Sequence, residues 1–173
     1  MLHLIRTFSV IAIILLFSSV VYGQTIVESD KETLKYIMSV NVLVEDLNPD
    51  IEEDGLNKIS IQTDVESSFF MEDIKVLTEH EWLKGKEYGN PFLYVKVSNL
   101  KDESGIYSYF VTVKFVQAVH LVRYPKIICL APTWESTGVF GTVGEDNVDS
   151  IRIDVKDQVD EFINDYLAVN PQE

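Results

Sequence analysis

Six acids crowd positions 45–54, and three of them stand as Asp50-x-Glu52-x-Asp54-Gly55. That spacing opens a calcium loop of the EF-hand type, in which alternate side chains turn oxygens toward one hard cation. Such a loop also needs a bidentate Glu at its twelfth position and an oxygen ligand near its ninth. Ile61 and Lys58 hold those places. The acids read instead as a turn whose negative charge favours the positive end of a following helix, with Asp54 as its N-cap.

Imidazole and thiol chemistry are thinly supplied. His80 lies between Glu79 and Glu81 in a polar stretch, and His120 sits forty residues away on the outward face of a strand. No His-Glu-x-x-His and no Cys pair occurs, so no metal site is expected. The single Cys129 lies in Ile127-Ile128-Cys129-Leu130, which reads as a buried strand where a thiol behaves as a small hydrophobe. One cysteine excludes an intrachain disulfide. There is no Gly-x-Ser-x-Gly elbow and no Gly-rich phosphate loop, so no cofactor is expected.

Two features retain interest. The first is Pro132-Thr133-Trp134-Glu135-Ser136-Thr137-Gly138. Trp134, Glu135 and Thr137 at a strand bend offer a recognition edge; equally, Trp134 closes the end of the core with its indole N–H bonded locally. The second is a break in alternation. From Val116 onward the outward face of a long strand becomes apolar through Val116, Ala118 and Val122, and residues 127–131 are apolar on both sides. A half-solvated sheet alternates. This hairpin therefore calls for a cover: a second subunit, a partner protein, or the chain's own residues 24–33 or 137–147.

These residues must be positioned by a small set of elements. Residues 34–45 alternate, with Tyr36, Met38, Val40, Val42 and Val44 on one face, which predicts a strand. Residues 56–77 predict a helix whose main stripe is Leu56, Ile59, Phe70, Met71 and Ile74, with Ile61, Val65 and Phe69 beside it. Residues 78–91 read as a polar loop. Residues 92–99 and 107–123 predict two strands joined by a turn at 101–105. Residues 127–131 open a fourth strand that Pro132 must interrupt or bulge, continuing at 137–143. Residues 149–169 predict the clearest helix, through Ile151, Val155, Val159, Phe162 and Tyr166, with Asn170-Pro171 as its stop. The expected fold class is α+β: a two-layer sandwich of about four mainly antiparallel strands, two helices on one face, in the order β-α-β-β-β-α.

The compartment is read from the N-terminus. Arg6 precedes an apolar run from Phe8 to Tyr22, no acid occurs before Glu28, and Val21-Tyr22-Gly23 offers small residues for cleavage. Residues 1–23 thus predict a signal peptide, 24–33 a flexible lead-in, and 34–173 a single domain. Fifteen apolar residues span only ~22 Å, short of the ~30 Å hydrocarbon core, so no stable membrane anchor is expected after cleavage. Cleavage moves the net charge from −14 to −15. Such a chain repels nucleic acid. No Asn-x-Ser/Thr sequon occurs, which favours a bacterial cell envelope over a eukaryotic secretory route.

The order of elements resembles the small α/β sandwich of periplasmic assembly and accessory modules. The N-terminal domain of the Tol translocation protein and the lipopolysaccharide-assembly lipoprotein are examples. The phrases Trp134-Glu135-Ser136-Thr137-Gly138 and Phe162-Ile163-Asn164-Asp165-Tyr166-Leu167-Ala168-Val169-Asn170-Pro171 are similar to those of small exported bacterial proteins. The resemblance implies a periplasmic or extracellular, non-enzymatic binding or assembly module engaging another envelope protein or itself. It carries over no functional residue, and the chain lacks the lipidation Cys. Two other readings stand beside it: a small secreted hydrolase using Trp134, Glu135 and His120, and a small-ligand carrier. The carrier needs a void that Phe69, Phe70, Phe115 and Phe162 would fill.

Overall fold

The computed structural model describes residues 30–84 and 91–171. The signal peptide expected over residues 1–23 and most of the expected lead-in lie outside them. Where the lead-in is described, Asp30–Leu34 is a turn of 3₁₀ helix with Leu34 fully buried.

Strand β1 (Asn41–Val44) is shorter than its alternation suggests. Val40, Val42 and Val44 are buried, but Tyr36 and Met38 are exposed, and Tyr36 takes a φ of 64° that ends any extended run. The acidic segment is helical, not a loop. Helix α1 (Pro49–Glu53) starts at Asn48, whose side chain accepts the Asp50 N–H at 3.3 Å. Asp54 ends this helix instead of beginning the next. Helix α2 (Lys58–Met71) is capped by Asn57, whose Oδ1 accepts the Ile59 and Ser60 N–H groups at 2.8 and 3.2 Å.

The buried face of α2 is Ile61, Val65, Ser68 and Phe69. Ile59, Phe70 and Met71, assigned to the main stripe by sequence, face solvent. The supposed loop after α2 contains helix α3 (Glu79–Lys84). Thr78 and Glu81 form its capping box: Thr78 N–H donates to Glu81 Oε2 at 2.9 Å, and Glu81 N–H donates to Thr78 Oγ1 at 3.3 Å.

Strands β2 (Phe92–Lys101) and β3 (Ile106–Leu121) form the expected hairpin, with Gly105 at φ 82° in the turn. Strand β4 (Tyr124–Glu135) returns along the distal half of β3, and β5 (Val139–Gly144) continues along its proximal half. β4 and β5 are therefore one broken strand on one edge of β3. Strand β1 pairs parallel to β2, and all other pairs are antiparallel. A second 3₁₀ turn (Glu145–Ser150) leads into helix α4 (Ile151–Val169). Its buried residues include the predicted Ile151, Val155, Val159, Phe162 and Tyr166.

The fold is α+β with a mixed, open five-stranded sheet and four helices in the described residues. It has one strand and two helices more than expected, because the broken strand counts twice and the short α1 and α3 escaped the periodicity. Helices α2 and α4 pack on one face of the sheet. Phe162 is the hub of their core, with Phe69, Phe115, Trp134 and Tyr166 at ring centroids of 5.1 to 6.2 Å. Arg152 of α4 clamps Asp64 of α2 with two hydrogen bonds of 2.7 and 2.9 Å. Asn170 stops α4, donating to the Leu34 and Tyr166 carbonyls at 2.9 and 3.0 Å. No described helix is long and apolar enough to cross a membrane.

Candidate functional site

Burial draws the site. On β3 the buried inward series runs Tyr107, Tyr109, Val111, Val113, Phe115 and stops; on β4 it holds only Trp134. Beyond these two residues every side chain of the β3–β4 hairpin is half-buried or exposed. The hairpin is longer than the helical layer that covers its base, so its distal half projects as an arm.

The base of the arm carries a bulge. Phe115 faces Trp134, but the next residue, Val116, faces Pro132, so Thr133 is the extra residue on β4. Proline cannot donate to the ladder, and a bulge is where a strand tolerates it. Gln117 fastens the bulge: its Nε2 donates to Thr133 Oγ1 at 2.7 Å and to Thr33 O at 3.2 Å. Thr33 Oγ1 in turn donates to Thr133 O at 3.1 Å. The Asp30–Leu34 turn thus props the arm at its root, on the helix side.

Val116, Ala118 and His120 lie on the open face, opposite the inward series. Val116 and Ala118 are half-buried, and Val122, in the turn at the tip, is 97% exposed. Tyr124, Ile127 and Leu130 are exposed on the returning strand. Cys129 is exposed as well, which corrects its reading as a buried hydrophobe. Residues 137–147 do not cover the arm; most of them extend the sheet as β5. Residues 104–134 hold no Asp or Glu, in a chain of net charge −14. Arg123 and Lys126 add positive charge at the tip. At the same end, His120 Nδ1 lies 2.6 Å from Pro125 O, so this nitrogen carries the proton, since the carbonyl only accepts.

The residues around Trp134 serve a different purpose. Trp134 is buried in the core and donates its indole N–H to Asp165 Oδ2 at 3.0 Å. Thr137 donates from N–H and Oγ1 to Glu161, and Gly138 N–H donates to Gln158 Oε1 at 2.7 Å. Three consecutive turns of α4 therefore hold the break between β4 and β5. Gly138 has a φ of 75°, and an added Cβ would stand 2.7 Å from Phe110 Cζ, so glycine is required there. Glu135 turns to the open face and pairs with Lys114 at 2.8 Å. His120 lies six residues along β3 from Lys114, roughly 20 Å away at strand rise. The grouping of Trp134, Glu135 and His120 needed for acid–base hydrolysis is not assembled. The carrier's void is likewise filled by Phe69, Phe115 and Phe162, although Phe70 stands in solvent.

Sequence reasoning singled out Val116, Ala118 and Val122 and the two-sided apolar run 127–131, but passed over Arg123, Tyr124 and Lys126 at the tip. The long acid-free run was the available signal. Three tyrosines form other polar links. Burial first, then a hydrogen bond to Glu45, pushes the Tyr94 phenol up to about 12. Burial and Asp54 do the same for Tyr107, and burial and Asp154 for Tyr109, each to about 12. These contacts are structural ties between layers or across the sheet face. Among the described residues no group of three His, Cys, Asp or Glu side chains converges as a metal site. Compared with protein-family models and with curated proteins, the chain matches none.

Proposed function

We propose that this chain is an exported, non-enzymatic binding or assembly module that engages another envelope protein through the β3–β4 arm. One observation carries the reading. The arm is apolar on both faces, projects beyond the helices, and is the longest acid-free run in an otherwise acidic chain. Exposed apolar surface of this kind marks interaction sites. The absence of acids removes like-charge repulsion toward an acidic partner, and Arg123 and Lys126 favour docking there. Export rests on residues 1–23, and the resemblance to periplasmic accessory modules points the same way.

The test is site-specific photocrosslinking in the native host, with the crosslinker at Leu130 and the mature N-terminus sequenced. The expected result is a start at Gln24 and one discrete adduct, lost when Val122→Glu is introduced. Val122 is in solvent, so this change leaves folding intact. An adduct that persists in Val122→Glu, or none at all, removes the arm as the docking surface. A retained Met1 removes the export reading.

A further inference from the structure

The opposite edge of the sheet offers a second site. Among the described residues strand β1 is an edge strand, paired only with β2. Asn41 N–H donates to Pro91 O and Glu45 N–H to Val95 O, so the odd-numbered residues turn their backbone groups toward β2. The even-numbered residues turn theirs outward. Val40, the first of them, is satisfied: its N–H donates to Lys75 O at 2.9 Å, and its carbonyl accepts the Leu77 N–H at 2.8 Å. Residues 75–77 thus begin a further parallel strand. The Thr78–Glu81 capping box then turns the chain into α3, and the incipient strand stops. Val42 and Val44 stand next in the row. Their outward amides and carbonyls have no partner among the described residues, though both residues are about as buried as the core.

Beside this edge lies a cleft of about 460 Å³, bounded by β1, α2 and α3. Its rim carries Glu45, Asp46, Glu66 and Glu79 against Lys58. Lys96 and Tyr94 hold Glu45, and Lys58 holds Asp46 at 2.5 Å. Glu66 and Glu79 have no cation partner among the described residues.

We infer that the outer edge of β1 accepts a short, extended, basic peptide segment as an added strand, continuing the line that residues 75–77 begin. Main-chain bonds to Val42 and Val44 supply the register. Glu66 and Glu79 select positively charged side chains on the incoming strand. This is strand addition to a sheet edge, in which backbone bonds give affinity and flanking groups give preference. The row accommodates about four residues at strand rise. The site is independent of the β3–β4 arm, which lies at the other side of the sheet.

The test is a titration of the isotope-labelled protein, isolated from its host, followed by amide NMR. The probe is an acetylated and amidated Lys-Val-Lys-Val-Lys peptide. Two controls accompany it: Glu-Val-Glu-Val-Glu, and the lysine peptide with every backbone nitrogen methylated. The lysine peptide is expected to shift the Val42 and Val44 amides and slow their exchange, while neither control does. The double variant Glu66→Lys, Glu79→Lys, both on helix surfaces, is expected to weaken binding about tenfold or more at unchanged fold. Equal binding of the methylated peptide would show charge attraction alone and overturn the proposal. Shifts that leave Val42 and Val44 unmoved overturn it as well.

Discussion

Val113 and Ser136 exchange two hydrogen bonds where β4 gives way to β5. Ser136 N–H donates to Val113 O at 2.8 Å, and Val113 N–H donates to Ser136 Oγ at 3.0 Å. A side-chain oxygen here takes the place of a ladder carbonyl, in a setting where both residues are buried. Ser136→Ala leaves the Val113 N–H unsatisfied, a loss of about 1–3 kcal/mol. Urea unfolding reads this as a lower midpoint at constant slope. An unchanged midpoint would show that water or a shifted strand satisfies the amide.

Phe162 and Phe70 make opposite predictions. Phe162 is fully buried among four aromatic rings, so Phe162→Ala costs about 3–5 kcal/mol. Phe70 is 81% exposed on α2, so Phe70→Ala stays within about 0.5 kcal/mol of the parent. Thermal unfolding of the two variants side by side checks the assignment of the α2 face. Equal losses would return Phe70 to the core.

Alkaline stability should be governed by Tyr94, Tyr107 and Tyr109. Each phenol is raised from an ordinary 10.0 to about 12 in the folded chain. Their contribution is complete below pH 10 and is lost as pH rises toward 12, because the unfolded chain releases these protons first. Phenolate absorbance should therefore show these three tyrosines, and Tyr166, whose phenol burial also raises, titrating late and together with loss of structure. Titration of every tyrosine near pH 10 in a folded protein would contradict this.

The acid limb has its own marker. Hydrogen bonds from Lys101 and then Tyr107 hold the Asp54 carboxyl below its ordinary 3.8. The sign is the reverse of the tyrosine case: the contribution is present above pH 3.8 and fades as pH falls through the depressed value. Asp54→Asn should flatten the stability profile below pH 3.8 and, because Asp54 also helps raise the Tyr107 phenol, reduce the Tyr107 share of the alkaline loss. A variant with the parent's acid profile would remove Asp54 as the group responsible.

Some of this was legible in the sequence. The α4 stripe was, because its apolar spacing of four, four, three and four has a single solution, and the β2–β3 turn at 101–105 was too. The α2 face was not. Apolar residues surround that helix, and its buried face includes the small, polar Ser68, which a hydrophobic pattern discards. Alternation carried β1 too far back, since Tyr36 and Met38 keep period two while the backbone has left the sheet. Helix α3 is too short for periodicity, yet its Thr78-x-x-Glu81 box stood in plain sight. The arm residues were found by their broken alternation. Exposure of Cys129 was not, because a strand's sequence does not record where the layer above it stops.

Strand β3 runs unbroken from the packed centre at Tyr107 to the free end at Leu121. It is a beam clamped at one end. Amide exchange along it should therefore be graded: residues 107–115 open only with the whole molecule, and residues 117–121 fray alone. Anything that grips the tip stiffens the loose half without altering the clamped half. A load applied there is delivered, through a single continuous backbone, to the ring cluster around Phe162.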